Sequence, residues 1–281
     1  MAGESRTSRT AGRVYAPYNQ GLAFSQVAQG SSTQGVDSVT TASSLQFWQG
    51  NDNTVNQNNR AWPLQKALGR DVYRFETRPG DQGYSGDNPL SVSRSLLVGS
   101  NHPMSFGVNW DFAFGFMVEP GFSFNASVSF IALMQFYHTP DGADTNTLPP
   151  FFIQVNPFGA NLLFTITMRT SNANALTVDP GAKVLFQTPV YREQRYQIYG
   201  RTKWAPAGSG IHSVHLGVEG QAAQQVVNYT GATGYNDAVA PYMDVGCYNA
   251  NTGDVNVAVQ IANPELSTSD LSGRIASPLA W

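Results

Sequence analysis

The chain contains four histidines and one cysteine, and their spacing limits the chemistry they can share. His212 and His215 lie three apart in a segment that alternates like a strand, so they point to opposite faces and make no common metal site. Cys247 stands alone in Val245-Gly246-Cys247-Tyr248. A single thiol makes no intramolecular disulfide, no Cys/His spacing suggests zinc, and the segment reads as a strand carrying a small core residue. His138 closes an apolar run just before a polar loop. In that loop Asp141, Asp144 and Asn146 offer oxygen ligands that would suit calcium, at a spacing too loose to be specific; no other cofactor is expected. Arg78 and Arg94 could each grip a carboxylate with two N–H groups, although Glu76 and Asp81 are also at hand for Arg78. Lys203-Trp204 offers a cation beside a flat ring on which a sugar could stack, or a core tryptophan next to a solvated lysine. The sequons at Asn125 and Asn228 carry meaning only on a eukaryotic secretory route.

Strands must position these residues. Arg74 and Glu76 alternate with Tyr73, Phe75 and Thr77. Leu162, Phe164, Ile166 and Met168 share one face, as do His212, Val214, Leu216 and Val218, and again Val255, Val257, Val259 and Ile261. Over 126–138 the expected face carries Ala126, Val128, Phe130, Ala132, Met134, Phe136 and His138. This is period-two patterning rich in aromatic and β-branched residues. Pro79-Gly80, Pro120-Gly121, Pro149-Pro150 and Pro180-Gly181 punctuate it. No long amphipathic helix is found; a short helical turn is expected near 61–68. Many half-apolar strands in one run predict an all-β fold of two packed antiparallel sheets, a jelly-roll sandwich.

The 281 residues suit one large β-sandwich, and 41% hydrophobic residues suffice for its core. Charged residues make up only 12%, about half the usual share. Lysines are Lys66, Lys183 and Lys203 alone, and the net charge is −3. With no basic stripe, nucleic acid is not an expected partner. No apolar run reaches the length of a membrane span. The first twenty residues hold Arg6, Arg9 and Arg13 without the apolar stretch of a secretory signal. Residues 1–45, dominated by Gly, Ser, Thr, Ala and Gln, are read as a polar arm that contacts a partner subunit or stays disordered. Residues 46–264 are read as the sandwich and 265–281 as a C-terminal tail.

Four segments in order resemble the jelly-roll polysaccharide lyases of the heparin-lyase and glucuronan-lyase type, whose sandwich is concanavalin A-like. Tyr73 to Asp81 is similar to that family's "FEVRPGD" strand. Met134-Gln135-Phe136-Tyr137-His138 with Pro149-Pro150 is similar to "QWH … PP". Tyr196 to Trp204 with Gly217-Val218-Glu219-Gly220 is similar to "W…V.KW … WVNG". Val226 to Asp237, with Pro241-Tyr242 and Gly246-Cys247-Tyr248, is similar to "VVDYRGPTGYND…GPYFKFGIY". The resemblance spans roughly residues 70–262.

The resemblance implies β-elimination on a uronic-acid polymer. The sugar carboxylate must be neutralised so that charge can build up beside it, and a base and an acid must reach the proton and the leaving oxygen. It implies His138 and Tyr235 as catalytic residues, and Arg78, Arg94, Gln135, Lys203, Asn236 and Tyr248 as substrate contacts. The chain departs from the pattern twice. Leu96 stands where the family's Arg-x-Glu has its acid. Gln135 and His138 are three apart instead of two, so alternation sends them to opposite faces unless a β-bulge at Phe136-Tyr137 intervenes. The expectation is therefore a glycan-recognising jelly roll with an acidic or neutral polysaccharide as partner, serving as a structural or receptor-facing part of a phage particle, in a virion or extracellular, meeting identical or other virion subunits through residues 1–45 and the tail. An active lyase and a purely structural decoration protein are the alternatives.

Overall fold

In the computed structural model, the structure describes residues 38–40, 46–49, 65–67, 72–77, 93–99, 103–120, 130–145, 148–250 and 257–276. The chain forms a two-sheet antiparallel jelly-roll sandwich. One sheet has eight strands, in the spatial order β1 (Ser38–Thr40), β2 (Gln46–Gln49), β5 (Ser93–Val98), β14 (Tyr242–Asn249), β7 (Ile131–Tyr137), β8 (Phe151–Phe158), β9 (Asn161–Met168) and β10 (Lys183–Val190). The other has seven: β13 (Gln224–Thr233), β12 (Ala205–Val218), β11 (Tyr196–Lys203), β6 (Asn109–Val118), β15 (Val257–Ser267), β4 (Val72–Thr77) and β3 (Gln65–Ala67).

Alternation decides which side chains meet between the sheets. Leu162, Phe164, Ile166 and Met168 of β9 all enter the core, as do Val257, Val259 and Ile261 of β15 and Phe75 of β4. Phe112, Phe114 and Phe116 of β6 enter it from the seven-stranded sheet. Phe116 stacks on Phe164 of the opposite sheet at 5.6 Å, and Phe112 meets Phe136 edge-on at 5.1 Å. Each such ring, wholly buried, contributes roughly 2 kcal/mol of hydrophobic stabilisation, and each favourable ring pair adds about 1 kcal/mol.

Two local outcomes differ from the sequence reading. Over 61–68 the described residues Gln65–Ala67 form a strand, because they pair with Val72–Arg74, and ladder hydrogen bonds satisfy the backbone where a lone helical turn would leave groups open. On β7 the bulge falls between Ala132 and Met134, not at Phe136-Tyr137. Leu133 and Met134 both reach the core while Ala132 does not, so the single face expected across this strand is broken there.

Of the residues read as an arm, 38–40 are an edge strand paired with β2; 1–37 lie outside the described residues. At the other end β15 runs to Ser267, with Glu265 and Leu266 buried. Arg274 of the short helix α1 (Gly273–Ala276) then closes onto Glu265 at 2.5 Å. Residues 277–281 lie outside the described residues.

Candidate functional site

The outward face of the eight-stranded sheet brings together side chains that could recognise a sugar. In β14, Met243, Val245 and Cys247 point into the core, so Tyr242, Asp244 and Tyr248 point out. Register then sets their partners: Tyr242 faces Tyr137, Asp244 faces Gln135, and Tyr248 faces Arg94 of β5. Gly246 lies between, at φ 141°; a Cβ there would lie 2.5 Å from the carbonyl oxygen of Ser95. Leu96 faces Gly246 and is buried.

Three rungs result. Tyr137 and Tyr242 approach at 5.9 Å between ring centroids. In the middle rung Gln135 Nε2 donates to Asp244 Oδ2 at 3.2 Å, and the Gly99 N–H donates to Oδ1 at 3.3 Å. In the third, the Arg94 guanidinium lies 4.9 Å from the centre of the Tyr248 ring, which also stacks on Phe130. Asp244 and Gln135 are buried, whereas Arg94, Tyr137, Tyr242 and Tyr248 are partly exposed. Burial pushes the Asp244 carboxyl up to about 7, against the pull of Gln135, Gly99 and Arg94. Further along the face Phe152, facing Gln135, lies 5.1 Å beneath the Arg169 guanidinium. Gln154 Nε2 donates to Asn156 Oδ1, while Gln154 Oε1 and Thr167 Oγ1 are buried without a hydrogen bond among the described residues.

His138 and Tyr235 also meet, but elsewhere. His138 follows the last residue of β7 and is wholly buried; Tyr235 packs edge-on against it, 4.8 Å between ring centroids. His138 Nδ1 is 3.1 Å from Asp237 Oδ2, and both His138 Nε2 and the Tyr235 hydroxyl are buried without a partner among the described residues. Burial pushes the pKa of the Tyr235 hydroxyl well above its ordinary value, so it holds its proton. Burial also raises Asp237, opposed by the His138 hydrogen bond, while the Leu176 N–H holds Asp144 below the usual carboxylate range. The nitrogen of His138 and one oxygen each of Asp144 and Asp237 lie within 4.8 Å of one another. That donor set could take a divalent ion of the zinc or manganese type, since one ligand is imidazole. In the loop read for calcium, Asp141 accepts from Ala238 N and Asp144 from Leu176 N and Asp141 N. These carboxylates thus knit the loops together through backbone amides. Asn146 lies outside the described residues.

Of the residues singled out from sequence, Arg94, Gln135 and Tyr248 share the outward face. Gln135 and His138 stay apart, because the bulge lies upstream of both. Lys203 sits on β11 of the other sheet, beside a fully buried Trp204 that donates to Met104 Sδ at 3.2 Å. Asn236 is an exposed loop residue bonded to Asn174. His212 is core, bonded to Thr202, while the His215 ring lies tilted against Tyr199, 5.5 Å between centroids. Arg78 lies outside the described residues. Sequence reading missed Asp244, Tyr137 and Tyr242. The alternation Tyr242-x-Asp244-x-Gly246-x-Tyr248 held the signal for β14.

No family model matches the chain, and no curated protein sequence matches it. Solved structures do. The endo-β-1,4-glucuronan lyase of the fungus Trichoderma reesei superposes with a TM-score of 0.52 at 15% identity, covering 78% of this chain and 94% of the lyase. A variant of the alginate lyase Aly36B in complex with an alginate trisaccharide superposes with a TM-score of 0.50 at 10% identity, covering 83% of this chain and 98% of that one. The fold is thus the jelly roll found in polysaccharide lyases.

Proposed function

We propose that the chain recognises a uronic-acid polysaccharide across the outward face of β5, β14 and β7. The observation that carries this is a set of three rungs on one face, a tyrosine pair, a carboxyl–amide pair and, past Gly246, an arginine against a tyrosine. Aromatic rings pack on sugar faces, amides and carboxyls fix hydroxyl groups, and a guanidinium grips a carboxylate in a fork. The likeness of fold to glucuronan and alginate lyases supports the same ligand class.

A second reading, cleavage by β-elimination, is favoured by the pairing of Arg94 with Tyr248. Arg94 would neutralise the sugar carboxylate while a tyrosine hydroxyl on the same face takes the adjacent proton. His138 has no part in this reading, since its ring is sealed from solvent.

Retardation of the protein in gels cast with glucuronan, alginate or a heparin-like polymer, against a neutral glucan, tests recognition. Retardation by at least one acidic polymer supports it; none by any acidic polymer overturns it. Ultraviolet absorbance from new unsaturated uronic ends separates the two readings: its growth establishes cleavage, and its absence with binding intact leaves recognition alone.

A further inference from the structure

The side chains gathered at His138 have a chemistry separate from the sheet face. One ring nitrogen of His138, one oxygen of Asp144 and one oxygen of Asp237 all lie within 4.8 Å of one another. His138 Nδ1 and Asp237 Oδ2 stand at 3.1 Å. Donors on a tetrahedral ion of the zinc type stand about 3.3 Å apart, because each lies about 2.0 Å from the metal. One edge of such a site is therefore already made, and a turn of the Asp144 side chain closes the rest. Backbone amides hold that carboxylate in place: Asp144 accepts from the Leu176 and Asp141 N–H groups, as ligating carboxylates do at metal sites. Asp144 is also partly exposed, which gives an ion a way in.

Two further observations point to a cation here. The charged groups that bear most on Asp237 are His138, Asp144 and Asp141, so three carboxyl groups converge on one imidazole. Carboxylates this close do not all stay ionised unless a cation joins them. The Arg169 guanidinium, which bears on Tyr235, is committed to Asp179 at 3.0 Å. Independently of charge, His138 is wholly buried, and its Nε2 has no partner among the described residues. The same holds for the hydroxyl of Tyr235, the ring packed against it. Buried polar atoms of a structural side chain are satisfied as a rule, and exceptions mark places where water or an ion belongs.

We propose that His138, Asp144 and Asp237 bind one divalent transition-metal ion, of the zinc or manganese type, which pins the loop after β7 to the loop after β13. An imidazole nitrogen among carboxylate oxygens selects this class, whereas calcium and magnesium take oxygen ligands. Water fills the positions that the three side chains leave open. The ion replaces the proton that neighbouring carboxyl groups otherwise share, so binding releases protons to solvent and changes no covalent bond. His138 and Asp237 are 99 residues apart in the chain, so the ion closes a long loop and its role is structural. The site stands apart from the rungs of β5, β14 and β7 and does not depend on the glycan reading.

The test uses the whole chain, stripped with a chelator that is then dialysed away, and titrated with zinc, manganese, calcium or magnesium chloride. Calorimetry should show one zinc ion per chain, with manganese weaker and calcium and magnesium weaker still. At a hundredfold excess of zinc over its dissociation constant, the thermal midpoint should rise by roughly 5 °C. Asp144→Asn, at a partly exposed loop position, and His138→Gln should each weaken zinc binding by at least about tenfold and lose the midpoint shift. The proposal is overturned if neither zinc nor manganese binds at one ion per chain, or if calcium binds more tightly than zinc. It is equally overturned if folded Asp144→Asn keeps the zinc affinity and the midpoint shift of the wild-type protein. Wild-type stoichiometry and the order of the four ions decide the matter even if neither variant folds.

Discussion

His138 Nδ1 and Asp237 Oδ2 lie 3.1 Å apart with both side chains sealed from solvent. The pair clasps the end of β7 to the loop after β13, and Asp144 ties the same region to the segment around Leu176. Removing one member of such a buried pair leaves the other without compensation, which costs about 3 kcal/mol. His138→Ala and Asp237→Ala should each lower the unfolding free energy by that order in urea titrations. Polysaccharide binding measured below the unfolding midpoint should remain.

The Tyr235 hydroxyl makes the complementary case. It is buried with no hydrogen bond among the described residues. A polar group desolvated without a partner is a cost, so Tyr235→Phe should match the wild-type stability within about 1 kcal/mol or exceed it. Thermal unfolding checks this, and any glycan binding should be unchanged.

The strands were legible in the sequence wherever one face was purely apolar. Leu162 to Met168 and Val257 to Ile261 could be placed by alternation alone, because nothing interrupts their period. The β7 face could not. A bulge is a decision between two paired strands, and the residue that absorbs it, Leu133, has nothing distinctive in its own chemistry. Past that bulge the alternation runs unbroken, which keeps His138 off the face of Gln135 and gives Tyr137 that place. The resemblance names His138 and Tyr235 together, but their burial depends on the loops that bring Asp144 and Asp237 against His138, which local sequence does not encode. Asp244 escaped notice because a carboxyl among apolar neighbours looks like an ordinary solvated residue until its strand is known to be central.

Asp244 makes stability depend on pH with a definite sign. Its folded-state value is raised to about 7, against roughly 3.9 in an unfolded chain. The folded state therefore holds the proton more tightly between those values. The protonated carboxyl is the favoured form, and this contribution is lost as pH rises from about 4 to about 7, up to on the order of 4 kcal/mol. His212 acts oppositely: burial pushes it down to about 3, so its contribution is present above about 6.5 and is lost as pH falls towards 3. Subtracting the urea stability of Asp244→Asn from that of the wild-type protein at each pH isolates the first effect, and the difference should fall steadily from pH 4 to 7.

Gly246 links the site to the core. At φ 141° it adopts a conformation that side chains rarely take, and a Cβ would press on the Ser95 carbonyl and the Phe75 ring. Backbone strain alone should cost Gly246→Ala about 1–3 kcal/mol. Because the strand must shift, this variant should also weaken glycan binding, whereas His138→Ala should not.

The central claim is that Arg94 on the outward sheet face, and not the buried His138 cluster, carries the ligand. The most direct measurement is the dissociation constant of an acidic oligosaccharide for wild-type protein, Arg94→Ala and His138→Ala, all at pH 6 and below their unfolding temperatures. The account predicts a loss of roughly tenfold to a hundredfold for Arg94→Ala, as expected for removal of a charge-assisted contact. It predicts a change within about twofold for folded His138→Ala. Unchanged affinity in Arg94→Ala, with affinity abolished in folded His138→Ala, would contradict it.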